Sequence, residues 1–293
     1  MLPLVGDLAP PARRATALSI VGSGLVLGLL FARLLSGIIA TYSIWRNVYW
    51  LSLALQFAIF ILLWLFMPDY PQVNTDISYG KILWSLVQWF CTCPVLVQAT
   101  IMAFFLSATF TSFWTTLTFL LSGSPYHYPT VIIGLFSLAG LTPMILGPIF
   151  SRYITDKCVP HVAILISMVI MVAGICIGAY TGTFTVAGPI LQAALQDFGL
   201  QMSQIANRSA VFGAAPKARS RVNTVYMIGA FCGQLMGTAV GNRVYSESGW
   251  TVSDSVSLAF VGAALFVCLI RGPAEKGWIG WDGGFRIRRL DLS

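Results

Sequence analysis

The sequence predicts an all-α integral membrane protein, a bundle of about eight transmembrane helices. Three observations carry that expectation. Of the 293 residues, 57% are hydrophobic and only 9% charged, whereas a soluble domain is about 45–50% apolar and about 25% charged. A globule of this length cannot hide so much apolar surface, and a disordered chain needs the opposite composition. Uncharged runs long enough to cross a bilayer, about 20 residues each, recur along the chain. The 17 lysines and arginines fall almost entirely on one side of the spans those runs define.

In chain order the spans are Ala17–Tyr42, Val48–Met67, Gln98–Leu121, Thr130–Ser151, His161–Thr181, Phe184–Asn207, Val222–Asn242 and Ser255–Ile270. Arg152, Asp156, Lys157 and Pro160 separate the fourth from the fifth. Thr181-Gly182-Thr183 gives a tight reversal between the fifth and sixth. Between the second and third spans, Ile82, Leu83, Leu86, Val87 and Phe90 recur at helical spacing beside Trp84 and Trp89. Gln88, Thr92 and Pro94 interrupt that stretch, so it reads as a helix lying in the membrane interface.

An even number of spans puts both termini on one side. Fourteen basic residues, from Arg13 and Arg14 to Arg286, Arg288 and Arg289, share that side, against Arg46 and Arg243 opposite and Arg33 within a span. The positive-inside rule therefore expects both termini in the cytoplasm. The resulting organisation is two helices in residues 1–68, a cytoplasmic linker over 69–97, six helices over 98–272 and a cytoplasmic tail over 273–293. The net charge of +7 fits contact with anionic lipid, and no nucleic-acid partner is implied.

Several chemistries are disfavoured. Two histidines are too few for a histidine-cluster metalloenzyme, and Cys91-Thr-Cys93 lacks the spacing of a zinc half-site. The six cysteines fall in spans or cytoplasmic segments, so no disulfide framework is expected. No phosphate-binding glycine loop and no nucleophile–base motif is present. The first span is too long for a cleavable signal peptide. No cofactor, no metal and no catalytic residue is expected.

Two stretches of the chain repeat one another. Ala9-Pro10-Pro11-Ala12-Arg13 is followed by Gly24, Gly28, Ala32, Ser36 and then Trp45. Ala215-Pro216-Lys217-Ala218-Arg219 is followed by Gly229, Gly233, Gly237, Gly241 and then Trp250. From the first small residue onward, the two copies are 205 residues apart. Small residues four apart form a flat ridge that admits a close helix crossing, which suggests a tight crossing between the two copies. Six spans separate them, so the repeat unit is six helices in parallel orientation, and four helices are expected upstream of the first span.

With that repeat, the chain resembles the major facilitator superfamily of transporters, from the end of its fourth helix through its twelfth. The residues that carry the resemblance are Ala9–Gly37, the loop Arg219-Ser-Arg-Val-Asn-Thr-Val-Tyr-Met227 and the basic turn around Gly147–Lys157. In that turn the family's glycine-to-aspartate spacing is degenerate, and Gly28 is followed by Leu29 rather than the proline of the family's antiporters. The resemblance implies an incomplete 6+6 parallel bundle in which the third and sixth spans line a central cavity. It also implies a secondary carrier that moves a small organic solute by alternating access, inactive alone if the four helices are missing. The competing reading is a non-transporting membrane scaffold or receptor-like protein.

An ionisable group inside a span is a functional candidate by default. Arg33 is one, and Asp197 is read as the only acidic side chain in any span. Asp197, Gln201, Gln204 and Arg208 stack on one helix face, with Gln192 and Gln196 on flanking positions and Gly188-Pro189 expected to kink or thin the outer end of the helix. A water-filled cavity is the reading of that stripe. The third span carries Ser107, Thr111, Trp114, Thr115 and Thr118 on one face, read as the opposite wall. Asp197 would serve as the carrier of a coupling proton or as the ion-pair partner of Arg33. Gly24, Gly28, Gly229, Gly233, Gly237 and Gly241 are assigned to helix packing. Arg13, Arg14, Arg152, Arg219 and Arg221 are assigned to lipid headgroups and an inward gate.

Overall fold

The computed structural model describes residues 14–67, 78–142, 146, 158–215, 218–273, 275 and 277–282. Among them the helices are α1 (Arg14–Tyr42), α2 (Arg46–Phe66), α3 (Tyr79–Thr92), α4 (Pro94–Ser122), α5 (Thr130–Leu135), α6 (Pro160–Thr181), α7 (Ala187–Ala214), α8 (Arg219–Ser248) and α9 (Trp250–Ile270). Five of these, α2, α4, α6, α8 and α9, are long and apolar enough to cross a bilayer. The chain is therefore an all-α, multi-pass membrane protein. α7 is as long as the others but breaks its apolar run with Gln192, Gln196, Asp197, Gln201, Gln204, Asn207 and Arg208.

α4, α6, α7, α8 and α9 form one bundle, in which α4 packs mainly on α8 and α6 mainly on α7. Met102, Leu106, Met168, Met171, Ile175, Met202 and Val261 fill its middle. Leu96, Val222 and Tyr226 close one end, and Phe113, Leu117, Leu121 and Trp250 close the other. A single residue, Gly249, turns α8 into α9. Its φ of 82° lies in the left-handed region, which glycine enters without a Cβ penalty. α1 docks on this bundle through α5. α2 buries none of its residues, and its exposed Leu, Phe and Trp side chains form an apolar surface suited to lipid. The interfacial stretch is helical over Tyr79–Thr92, with Leu83, Trp84 and Val87 exposed.

Two expectations about the helices are corrected. The fourth span is not one continuous helix: α5 has a single turn and a half and passes into a 3₁₀ helix, Phe136–Leu141. Around this change of winding, Gly134 and Gly140 sit close against α1 and α7. A Cβ on Gly134 would lie 3.2 Å from the Arg33 carbonyl oxygen, and one on Gly140 would lie 2.7 Å from Asp197 Oδ2. Gly188 and Pro189 lie in the first turn of α7, where a proline costs no hydrogen bond.

The second correction concerns the small-residue ridges, which do not cross one another. Gly229, Gly233, Gly237 and Gly241 of α8 lie on Thr100, Phe104, Ala108 and Ser112 of α4, so close that any Cβ would overlap them. Gly24 and Gly28 of α1 have nothing within 4 Å. The repeated tryptophans diverge in the same way. Trp250 is 4% exposed and donates its Nε1–H to the Gly178 carbonyl at 2.9 Å, whereas Trp45 is 61% exposed.

Candidate functional site

Where α1, α4 and α5 meet, a cavity of about 350 Å³ opens between Arg33, Ser36 and Gly37 of α1, Thr111, Trp114, Thr115 and Thr118 of α4, and Thr130, Ile133 and Gly134 of α5. α1 reaches this place because Gly37 lets it lie directly on α5, with a virtual Cβ only 2.9 Å from the Thr130 carbonyl. That close approach delivers Arg33 to the face of Trp114, its Cζ 3.8 Å from the ring centroid. Such a cation–π contact is worth about 0.5–2 kcal/mol, more as water is excluded. The same indole donates its Nε1–H to Asp197 Oδ1 on α7 at 3.1 Å. One tryptophan thus touches both charged groups, and Gly140 of the 3₁₀ helix covers the second carboxylate oxygen.

The threonine wall has a definite polarity. Thr115 Oγ1 donates to the Thr111 carbonyl at 2.8 Å and Thr118 Oγ1 to the Trp114 carbonyl at 3.2 Å. Thr111 Oγ1 donates across to the Gln234 carbonyl of α8 at 2.9 Å. Each hydroxyl proton is spent on a backbone oxygen, so toward the cavity these side chains offer lone pairs only. Arg33 supplies donors and no acceptor. The wall is therefore suited to a solute that carries both an anionic or acceptor group and N–H or O–H donors.

The remaining sequence-predicted residues separate into groups. Ser107 does not line the cavity: it is 1% exposed in the helix packing, and its Oγ has no partner. Gln201 and Gln204 lie farther along α7, where Gln204 Oε1 accepts from Arg208 Nη2 at 3.3 Å and the Arg208 guanidinium stands 5.7 Å from the Tyr226 ring. The polar stripe of α7 does not line this cavity; Asp197 is tied to it only through the Trp114 indole. Gln192 and Gln196 point the other way, into the bundle, and are fully buried. Arg219 is exposed and Arg221 half-buried in the first turn of α8. Arg13, Arg152 and the side chain of Arg14 lie outside the described residues, as does the basic turn around Gly147–Lys157.

Asp197 is not the only acidic side chain in a span. Asp254 is 1% exposed and lies on α9, which begins at Trp250, five residues earlier than the uncharged run indicates. Reading helices as uncharged runs excluded it by construction. Nor is a pairing signal for Gly140 legible in the chain, since its place over Asp197 depends on the 3₁₀ helix.

A second cavity of about 300 Å³ lies at the end of the bundle bearing Gln98, His161, Asn207 and Arg271. There Arg271 Nε donates to the Gly277 carbonyl at 2.9 Å, and Trp281 Nε1 donates to the Leu269 carbonyl at 2.7 Å. Burial lowers the Arg271 pKa from its ordinary value, with Glu275 opposing the shift.

The comparisons with known proteins bear on the same helices. A family model described as Major Facilitator Superfamily matches residues 1–193, which includes α1, α4, α5 and Asp197's neighbours up to Ala193. The chain belongs to the Major Facilitator Superfamily. Relatives support the assignment. The transporter YgaY of Escherichia coli, in strain K12 and in O157:H7, is 28% identical over 270 residues, covering 92% of this chain and 67% of the relative. A Streptomyces coelicolor protein named as a transporter, SCO4007, is 25% identical over 257 residues, covering 85% of this chain and 57% of its own. As a superfamily member, the chain is an integral membrane protein of the transporter class, and a small-molecule solute is the expected cargo.

Proposed function

We propose that the chain moves a small organic solute, neutral or zwitterionic, by alternating access, and that the solute binds in the cavity between α1, α4 and α5. The observation that carries this reading is the indole of Trp114, held between the Arg33 guanidinium of one repeat half and the Asp197 carboxylate of the other. A rocking motion of the halves about that point would separate the two charges and change the cavity, which is how a site near the middle of such a carrier responds to its cargo. A volume of about 350 Å³ sits at the small end of ligand pockets and suits a solute of amino-acid size. In this reading residues 1–68 and 98–272 are the two halves, 69–97 join them, and both termini with the 273–293 tail are cytoplasmic. Arg219 and Arg221 meet lipid headgroups there. Asp197 is the group that would carry a coupling proton.

The test uses purified protein and a panel of amino acids, betaines and polyols. Solutes that raise the melting temperature of the wild type and not of Arg33→Gln are then assayed for uptake in proteoliposomes. Saturable uptake with counterflow supports the carrier. Unsaturable flux would favour a channel, and no flux with retained folding would favour a scaffold.

A further inference from the structure

Away from the cavity between α1, α4 and α5, a hydrogen bond from α7 to α9 holds a second carboxyl group in the bundle interior. Asp254 of α9 is 1% exposed and Gln192 of α7 is fully buried. Gln192 Nε2 donates to Asp254 Oδ1 at 3.2 Å. The two atoms left over, Asp254 Oδ2 and Gln192 Oε1, are both buried and have no hydrogen-bond partner. Both are acceptors. The Gln192 side chain cannot turn away to find one, because it fills the space over Gly178 of α6, where any Cβ would overlap its amide oxygen.

No cation answers these oxygens. Asp254 makes no ion pair among the described residues. Of the helices packed around it, α6 brings Cys176 and Tyr180 toward this end, and α8 brings Tyr245 with Arg243 and Glu247, which pair with each other in an exposed position. α4 brings Ser112, which accepts from Ser257 Oγ at 3.3 Å, and Thr109, which donates to the Ser257 carbonyl at 3.3 Å. Asp197, on the same helix as Gln192, is turned to Trp114. An ionised carboxylate buried without a partner charge costs several kcal/mol and is normally relieved by neutralisation. A single proton on Oδ2 achieves this, because it converts an orphan acceptor into a donor for an amide oxygen that lacks one.

We propose that Asp254 is a second proton-binding site, in which the carboxylic acid and the Gln192 amide form a neutral pair bonded through N–H···O and O–H···O. The step is the association of one proton with Asp254 Oδ2 and nothing else. The pair is a resident of the α6–α7–α9 seam and is independent of the solute cavity.

Infrared spectroscopy of the detergent-purified wild type in H₂O and D₂O at pH 7 tests it, with Asp254→Asn, Asp197→Asn and Gln192→Leu beside it. The wild type should show a protonated-carboxyl C=O band that shifts in D₂O. Asp254→Asn should lose that band and keep its melting temperature within about 2 °C, because the amide reproduces the neutral acid. Asp197→Asn should retain it. In Gln192→Leu the band should move to higher frequency as the acid loses its acceptor. An unchanged band in both Asp254→Asn and Gln192→Leu would overturn the proposal. So would a sodium-dependent rise in melting temperature that Asp254→Asn abolishes, since that would make the site a metal-cation site. If Asp254→Asn does not fold, the Gln192→Leu shift decides alone: a move supports the pair, no move rejects it.

Discussion

Two buried carboxyl groups project from neighbouring helices of one bundle, and their surroundings differ in kind. Asp197 shares an indole with an arginine, both of which line a cavity, and is covered by the unsubstituted backbone of Gly140. Asp254 faces an amide and has no cationic partner among the described residues. Burial alone therefore does not mark a functional acid in a membrane helix. What separates the two is whether an opposite charge from another helix and an opening reach the same place. The first arrangement can be switched by moving helices apart, whereas the second loses its bonds if they move.

That contrast can be broken by mutation. The largest effect is expected from Asp197→Asn, which leaves the Arg33 guanidinium without its counter-charge. Uptake in proteoliposomes should fall by about a hundredfold with folding retained, the scale of losing a charge-assisted contact in a dry site. Gly140→Val should follow, with about a tenfold loss, because its side chain would press on a carboxylate oxygen only 2.7 Å from the Cβ position. Asp254→Asn should change uptake by less than about twofold, measured in the same vesicles, since a neutral amide replaces a neutral acid. Equal losses from Asp197→Asn and Asp254→Asn would erase the distinction.

The repeat gives the same lesson in apolar form. Gly233 and Gly28 occupy equivalent positions in two copies of one pattern, yet only Gly233 lies against a helix. Gly233→Leu should destabilise the bundle by about 1–3 kcal/mol or more through overpacking, and thermal unfolding in detergent would show it. Gly28→Leu should shift the melting temperature by less than about 1 °C.

Much of this architecture is readable in the sequence because lipid imposes a simple rule: backbone polar groups must be satisfied within the span, so long uncharged runs become helices. That rule located α1, α2, α4, α6, α8 and α9 to within a few residues at most ends. It failed where polarity enters a helix. α9 extends back over Asp254 because Gln192 meets it there, and no local signal announces a partner 62 residues away. The fourth span reads as one helix, although α5 gives way to a 3₁₀ turn where Gly134 and Gly140 meet α1 and α7. At the site, Arg33, Trp114 and Asp197 could be chosen singly from charge and position. Their convergence on one indole required the α1–α5 contact, and Ser107 turns into the helix packing while Gln201 lies farther along α7, neither of which a one-face reading resolves.

The central claim is that Arg33, Trp114 and Asp197 form the solute site of a carrier. Its most direct test is counterflow in proteoliposomes preloaded with an unlabelled zwitterionic amino acid identified by thermal shift, following entry of the radiolabelled form. The account predicts a transient overshoot in the wild type that vanishes in Arg33→Gln and in Asp197→Asn while both variants remain folded. Overshoot of wild-type size in either variant would contradict it.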